Sequence, residues 1–222
     1  LQAHLTMAYI TNRKNDAVLN KSFIRIAHWN INRGFNVDQI KEILLNPDSY
    51  KNKYLPNVRE GKHQHFNEEL NAFSGADIVC LNEADIGMPR TKYKNIPAVL
   101  GGSLGWNTAY ASEFVELGPI FQNNKFNTNQ YRGLHGNVIL SKFPIVSAEV
   151  IRIPNFYDWY GEEVEKHKSP LEYARIGGTK LVFSQKIEVK EVRHGSRNAI
   201  IADIKLPSGQ IVTVVSTHLE DR

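Results

Sequence analysis

The sequence has a single cysteine, no long apolar run and no internal repeat, and each absence excludes a class of protein. With only Cys80, the 222-residue chain cannot form an internal disulfide. No segment approaches the roughly 18 consecutive apolar residues of a membrane-spanning helix. The N-terminus lacks the basic segment followed by an apolar segment that is typical of a secretion signal. The sequence therefore predicts a soluble chain without disulfides, and it leaves the compartment and the oligomeric state open.

The composition is that of an ordinary globular domain. Hydrophobic residues make up 41% of the chain, which at this length is enough for one large domain with a sizeable core. Lys and Arg total 27 against 23 Asp and Glu, for a net charge of +4. This balance permits an anionic substrate. The absence of a basic helix or a DNA-reading motif disfavours sequence-specific DNA binding.

Polar residues follow several apolar, strand-like segments of the sequence. The run Ile78-Val79-Cys80-Leu81 predicts a buried strand that ends near Glu83. Two further predicted strands end near Asn30 and His218, and His135 directly precedes another. Strand ends in α/β sheets are common places for ligand chemistry, because the loops vary while the strands stay rigid. Taken alone, Glu83 is more typical of a solvated loop residue and His218 of a structural hydrogen-bonding residue, but the combination favours one shared site.

Five short segments define a pattern by their order and spacing. They are Trp29-Asn30-Ile31, residues 77–83, residues 135–145, Arg197-Asn198-Ala199 and Thr217-His218-Leu219. Together they resemble the endonuclease/exonuclease/phosphatase superfamily, the deoxyribonuclease-I-like metal-dependent phosphodiesterases and phosphatases. The resemblance implies an α/β layered sandwich of two mixed β-sheets flanked by helices, with the site at one edge. It also implies hydrolysis of a phosphoester substrate with Mg²⁺ as the cofactor, or Mn²⁺ as a second possibility.

The resemblance also implies roles for individual residues. Glu83 matches the superfamily's metal-binding Glu, and Asn30 matches an Asn that contacts the metal site. His218 matches a His that lies against the scissile phosphate, and the expected catalytic residues are His218, Asn30 and His135. The expected substrate-binding residues are Arg197, Asn137, Asn32, Asp85 and Arg90. Because Mg²⁺ prefers oxygen ligands and keeps several waters, one carboxylate and one or two amide oxygens are a sufficient protein contribution.

The sequence departs from the superfamily pattern in one respect. It contains neither the Gly-Asp-x-Asn segment nor the Ser-Asp-His segment that the superfamily's catalysis requires. We expect residues 1–22 to be a lead-in segment and residues 23–222 to be a C-terminally truncated domain that lacks its last strands. The alternative is a non-catalytic binding module that retains the fold and an anion-binding cleft. The substrate stays open among nucleic acids, phospholipid headgroups, inositol phosphates and nucleotides, as does the activity of this chain alone.

Hydrophobic spacing predicts the order of the remaining elements. Helices are expected over residues 36–45, 63–73 and around 98–100, with a basic loop over 47–62. The remaining strands are expected over residues 23–32, 107–114, 136–141, 146–153, 181–189, 198–206 and 210–217, and a turn at Pro207-Ser208-Gly209 joins the last two. Long loops are expected over residues 118–134 and 155–178. The aromatic residues of the second loop either line the substrate site or pack over a sheet edge.

Overall fold

The computed structural model describes residues 5–13, 22–117, 132–154 and 192–219. Within these ranges a layer of helices packs on a six-stranded sheet, and a three-stranded sheet covers its other face. This arrangement confirms the predicted α/β layered sandwich. The strand expected over residues 181–189, the loop expected over 155–178 and residues 118–131 of the loop expected over 118–134 lie outside the described residues. The prediction of a loop is wrong for residues 132–134, because a strand begins at Arg132.

The described elements alternate early in the chain and are mostly strands later. The strands are β1 Tyr9–Thr11, β2 Ile26–Asn30, β3 Ile78–Ile86, β4 Asn107–Leu117, β5 Arg132–Ser141, β6 Ile145–Arg152, β7 Val192–Gly195, β8 Asn198–Lys205 and β9 Ile211–Thr217. The helices are α1 Val37–Leu45, α2 Pro47–Tyr54, α3 His63–Ser74 and α4 Ile96–Leu104. None of the helices in the described ranges is long and apolar enough to cross a membrane.

The larger sheet has the strand order β1-β4-β5-β3-β2, and β7 pairs with a later part of β4. Strands β2 and β3 are parallel, with Asn30 opposite Asn82, whereas the other pairs are antiparallel. This register brings the end of β2 next to Glu83. Strand β1 lies within residues 1–22, the expected lead-in, and pairs with β4. The domain boundary itself stays a prediction.

The smaller sheet has the order β6-β8-β9 and is antiparallel throughout its described strands. The predicted turn joins β8 and β9, with the Gly209 backbone N–H donating to the Leu206 carbonyl at 2.9 Å. Gly209 has φ +86°, a conformation that glycine adopts without a steric penalty. Because Thr217 pairs with Ala199, His218 emerges beside the start of β8 and close to Arg197.

The core has two parts, one on each face of the larger sheet. Successive side chains of a strand point to opposite faces, and β3 follows this rule. Val79 and Leu81 pack in the cluster under the helices, whereas Ile78 and Cys80 pack in the cluster between the sheets. All four side chains are at most 4% exposed. Burial raises the pKa of the Cys80 thiol to about 11, which keeps it protonated near neutral pH.

The prediction of a loop over residues 47–62 is wrong, because helix α2 and two short 3₁₀ turns occupy this stretch. The Pro47 ring prevents Asn46 from continuing α1 in helical geometry, and Asn46 has φ −141°. Pro47 then stands at the first position of α2, where its missing N–H costs nothing and its fixed φ suits a helix. The same proline therefore marks the end of one helix and the start of the next.

The predicted ends of two strands are also wrong, because β3 continues past Glu83 and β4 continues past Phe114. Each strand has a β-bulge against β5, between Leu81 and Ala84 in β3 and between Ser112 and Phe114 in β4. A bulge breaks the regular alternation of side chains while pairing resumes beyond it. Periodicity in the sequence therefore indicates an end where the structure has an irregularity.

We expect Gly136→Ala to destabilise the protein by about 3 kcal/mol, because there is no room for a methyl group between β4 and β5. A Cβ at Gly136 would overlap the Ala111 carbonyl oxygen and lie 2.8 Å from the Ser112 Cα. Urea unfolding followed by circular dichroism measures the effect. Gly61→Ala is the control, since a Cβ there has no atom within 4 Å, and equal effects in the two variants would contradict the expectation.

Candidate active site

Glu83 is held at the β3 bulge by two hydrogen bonds from the β2 side. Its Oε1 accepts from Asn30 Nδ2 at 2.9 Å, and its Oε2 accepts from the Arg33 backbone N–H at 3.0 Å. Glu83, Asn32 and Arg33 have φ values of +63°, +48° and +60°. Positive φ in residues other than glycine is costly and is concentrated at functional sites, where the surrounding structure maintains it. The carboxylate therefore has one defined orientation.

The Glu83 carboxyl is ionised at neutral pH. Partial burial acts to raise its pKa, but the hydrogen bond from Asn30, the charges of His135 and His218 and the hydrogen bond from Arg33 together outweigh it. The pKa of Glu83 is therefore lower than its ordinary value. A negative charge is thus present at the edge of the cleft.

His218 lies between two carboxylates. Its Nε2 is 3.8 Å from Glu83 Oε1 and 3.5 Å from Asn30 Nδ2. Its Nδ1 is 2.7 Å from Arg197 Nη1 and 3.4 Å from Glu113 Oε2. In the neutral ring Nδ1 accepts from Arg197 and Nε2 holds the proton on the cleft side, whereas in the charged ring Nδ1 donates to Glu113. Both protonation states of His218 therefore have a partner.

Glu113 is a buried carboxylate at the β4 bulge, and it is a site residue that the sequence analysis does not assign. Its Oε2 accepts from Arg197 Nη1 at 2.8 Å, and its Oε1 accepts from Asn137 Nδ2 at 3.1 Å. Burial acts to raise the pKa of Glu113, but the hydrogen bond with His218 and the charges of Arg197, His218 and His135 lower it overall. The charge of Glu113 therefore persists although the side chain is fully buried.

A network of buried amides lies beneath these charged groups. Asn137 donates through Nδ2 to Glu113 and to Asn198 Oδ1, the latter at 3.1 Å, and it accepts from Asn82 Nδ2 at 2.7 Å. Asn137 and Asn198 are fully buried, and Asn82 is 2% exposed. A fully hydrogen-bonded polar network of this kind restrains the groups attached to it. Asn137, expected to bind substrate, thus lies below the cleft and contacts Glu113.

His135 belongs to a second charged group on the other side of Glu83. Its Nδ1 is 2.9 Å from Asp85 Oδ1, and Arg90 donates from Nε and Nη2 to the two Asp85 oxygens at 2.6 and 2.9 Å. Asp85 is fully buried, and the Arg90 side chain is 11% exposed. Asp85 and Arg90, expected at the substrate, are therefore partners of His135 and of each other.

The structure brings the four central residues of the sequence analysis into one place. Glu83, His135 and His218 each offer a ligand atom, and these atoms lie within 4.8 Å of one another. Asn30 joins them through its contacts to Glu83 and His218. The amide nitrogen of Asn30 faces the cleft, while its Oδ1 accepts from the Asn32 backbone N–H at 2.9 Å. In this orientation Asn30 supports Glu83 and would have to turn to offer its oxygen to a metal.

The donor set fits a divalent cation in charge and in chemistry. The Glu83 carboxylate is ionised, is held by neutral donors and is 21% exposed, so it combines a negative charge with access to the cleft. Carboxylate oxygen binds hard cations, and imidazole nitrogen binds borderline ones. The residues present therefore suit a metal whose principal ligand is Glu83.

The model of the Endonuclease/Exonuclease/phosphatase family matches residues 27–186. Because this match covers well over half of the chain, the protein belongs to that family, whose members are hydrolases that generally use divalent metals. Membership confirms the resemblance found in the sequence. No curated protein shows significant similarity to the chain.

Two solved structures are among those similar to the chain. One is an endonuclease/exonuclease/phosphatase from Beutenbergia cavernae DSM 12333, which is 15% identical with a TM-score of 0.44 over 88% of this chain and 38% of that one. The other is the human Nocturnin catalytic domain with bound sulfate anion, which is 14% identical with a TM-score of 0.35 over 74% of this chain and 45% of that one. The chain thus spans less than half the length of either structure.

Proposed function

We propose that this chain forms the Glu83 half of the active site of a metal-dependent phosphoester hydrolase, which uses Mg²⁺ or Mn²⁺. The observation that supports the proposal best is the position of His218. Its Nε2 faces Glu83 and Asn30 in the cleft, while its Nδ1 contacts Arg197 and Glu113 beneath it. A histidine held in this way beside an ionised carboxylate suits proton transfer at a phosphoryl group.

Each residue around the cleft has a distinct part in the proposed reaction. Glu83 would hold the cation, which when bound would neutralise charge on the phosphoryl oxygens and lower the pKa of a bound water. Asn30 keeps the Glu83 carboxylate in one orientation. In its charged form, which Glu113 stabilises through Nδ1, His218 donates a hydrogen bond or a proton from Nε2 to a phosphoryl oxygen, and loss of the proton leaves the neutral ring.

The other expected site residues divide into exposed and buried ones. Asn32 is exposed next to Asn30, and Arg197 is 15% exposed beside His218, so these two residues are the candidates for direct substrate contact. Asn137 and Asp85 are fully buried. We assign Asn137 to positioning Glu113, and we assign Asp85 and Arg90 to positioning His135.

A non-catalytic module that binds an anion stays the second candidate, because neither Gly-Asp-x-Asn nor Ser-Asp-His occurs among the 222 residues. Arg197 and His218 would supply the cationic side of such a cleft. The two candidates differ in turnover. An enzyme hydrolyses bis-(p-nitrophenyl) phosphate or p-nitrophenyl phosphate in a metal-dependent way that EDTA abolishes, whereas a module binds inorganic phosphate without hydrolysing either ester.

We expect His218→Asn to lower kcat by about 10²-fold, the usual contribution of a positioned acid or base. The assay uses the gene product that contains this chain, with the same two esters and added Mg²⁺ or Mn²⁺. His65→Asn is the control, because His65 is exposed on α3 and contacts Glu69 on the same helix at 3.2 Å. Full activity in His218→Asn would remove His218 from the mechanism.

A further inference from the structure

The His135 ring is buried and is held in one orientation by its neighbours. The ring is 2% exposed, and its Nδ1 is 2.9 Å from an Asp85 oxygen. Asp85 is held in turn by two hydrogen bonds from Arg90, one to each carboxylate oxygen. Phe114 stacks near the ring, with the two centroids 6.3 Å apart. This arrangement gives a buried imidazole one tautomer and one direction.

A carboxylate bound to Nδ1 places the ring proton on that nitrogen. Nε2 is then the nitrogen that offers a lone pair. Metal-binding histidines in proteins almost always have a partner of this kind on their other nitrogen. Arg90 donates to both carboxylate oxygens of Asp85, which fixes the acceptor that faces His135 Nδ1.

Glu83 and His218 stand close to this ring. Glu83 Oε1 and His218 Nε2 are 3.8 Å apart, and together with the His135 nitrogen they form a set within 4.8 Å. Ligand atoms about 2.1 Å from one tetrahedral or octahedral ion are about 3.0 to 3.4 Å apart, so side-chain movements of about 1 to 2 Å would bring Glu83 and His135 onto one ion. His218 Nε2 carries the proton that it donates to a phosphoryl oxygen, which leaves Glu83 and His135 as the residues that can bind the ion.

We propose that His135, held by Asp85 and Arg90, is a metal ligand, and that the site prefers Mn²⁺, Co²⁺ or Zn²⁺ to Mg²⁺. Imidazole nitrogen binds these ions well, whereas Mg²⁺ selects oxygen ligands and keeps its waters. The inference rests on the proposed metal-dependent function and changes the cation that the cleft is expected to bind best, from Mg²⁺ to an ion that accepts nitrogen ligands. Asp85 and Arg90 are positioning residues in this scheme, because they act through His135.

Direct metal binding tests the inference without an activity assay. Isothermal titration of the protein with Zn²⁺, Mn²⁺ and Mg²⁺, together with the visible spectrum of the Co²⁺ complex, measures affinity and ligand type. We expect the wild type to bind Zn²⁺ at least about tenfold more tightly than Mg²⁺. We expect His135→Gln to lower Zn²⁺ and Co²⁺ affinity by about tenfold or more while changing Mg²⁺ affinity by less than about threefold, because Glu83 remains.

Asp85→Asn separates a positioning role from a structural one. This variant should weaken Zn²⁺ binding by about 10- to 100-fold and alter the Co²⁺ spectrum, although it removes no ligand. His65→Gln is the matched control and should change neither. Long-range ¹H–¹⁵N spectra of the wild-type histidine rings give a measurement that does not depend on any variant, since Zn²⁺ should move the ring-nitrogen signals of His135, and Mg²⁺ should not.

Distinct outcomes separate failure of this inference from failure of the proposed function. If Mg²⁺ binds as tightly as Zn²⁺, and Zn²⁺ leaves the His135 signals unchanged, the inference is wrong. If Glu83→Gln then still weakens Mg²⁺ binding, the metal-dependent function stands. If the wild type binds none of these ions, or Glu83→Gln changes none of their affinities, both proposals fail.

Discussion

Glu83→Gln is expected to lower metal-dependent phosphoester hydrolysis by about 10³-fold, the equivalent of about 4 kcal/mol of transition-state stabilisation supplied by a bound cation. Glutamine has nearly the same shape as glutamate but lacks the negative charge, and its amide group would present a donor to Asn30 Nδ2 or to the Arg33 N–H. The substitution therefore removes the charge of the principal ligand and disturbs the two hydrogen bonds that orient it.

The measurement is kcat/KM over a range of Mg²⁺ and Mn²⁺ concentrations in the gene product that contains this chain. If Glu83 acts through the cation, the loss should be largest at low metal and should decrease as the metal concentration rises. Glu149→Gln is the control, because Glu149 is exposed on β6 in the smaller sheet. Turnover of the Glu83 variant equal to that of the wild type at low Mg²⁺ would remove Glu83 from the metal site.

The convergence of the central residues could be predicted because it depends on local patterns. Apolar strand-length runs precede Asn30, Glu83 and His218, and the parallel pairing of β2 with β3 then places Asn30 beside Glu83. Neighbouring parallel strands end at the same edge of a sheet, so polar residues at their ends lie close together regardless of the chain that connects the strands. The site is therefore largely a consequence of strand order.

Glu113 could not be assigned from the sequence because its position depends on a bulge. In a regular strand Glu113 would alternate with Ser112 and Phe114, and an isolated acidic residue near an expected strand end is usually solvated. The bulge at β4 and the bulge at β3 both lie opposite β5 around Gly136. Such irregularities turn single side chains toward a site, and periodicity does not reveal them. An acidic residue flanked by Ser112 and the apolar pair Phe114 and Val115 was the available signal.

The partners of Asp85 illustrate a second limit. The sequence places Asp85 and Arg90 just after Glu83, which favours a role in the pocket. Whether they face a substrate or each other depends on the turn at residues 87–91, where Pro89–Thr91 forms a 3₁₀ turn that brings Arg90 back to Asp85. Residue type and proximity in sequence were sufficient to select these residues, but they did not determine the direction of the side chains.

Glu113→Gln is expected to lower the free energy of unfolding at neutral pH by about 3 kcal/mol, because removing one partner of a buried ion pair leaves the other partner uncompensated. Glu113 is fully buried, and the Arg197 side chain is 15% exposed, so water replaces little of the lost interaction. The Gln side chain still offers one carbonyl oxygen to Asn137 or Arg197, which places the effect at the lower end of the range for buried pairs.

The same substitution should change the pH dependence of stability. The folded-state pKa of Glu113 is lower than its ordinary value, so its contribution is complete above the unfolded-state pKa of about 4.3 and is lost as pH falls through the folded-state value. The wild type and Glu113→Gln should therefore differ most near neutral pH and converge in acid. Urea unfolding at a series of pH values down to about 3 measures both curves.

A double-mutant cycle with Arg197→Gln assigns the effect to the ion pair. If the pair accounts for the loss, Glu113→Gln and Arg197→Gln together should cost less than the sum of the two single substitutions, because the second removes the charge that the first leaves unpaired.

Asp203→Asn provides a second carboxylate for comparison. The pKa of Asp203 is lowered by hydrogen bonds from Thr213 and Ser147, but the group is exposed to solvent, so its loss should change stability little. Additive effects, or a difference between wild type and Glu113→Gln that stays constant down to about pH 3, would contradict the ion pair as the cause and leave Glu113 with only its hydrogen bond from Asn137.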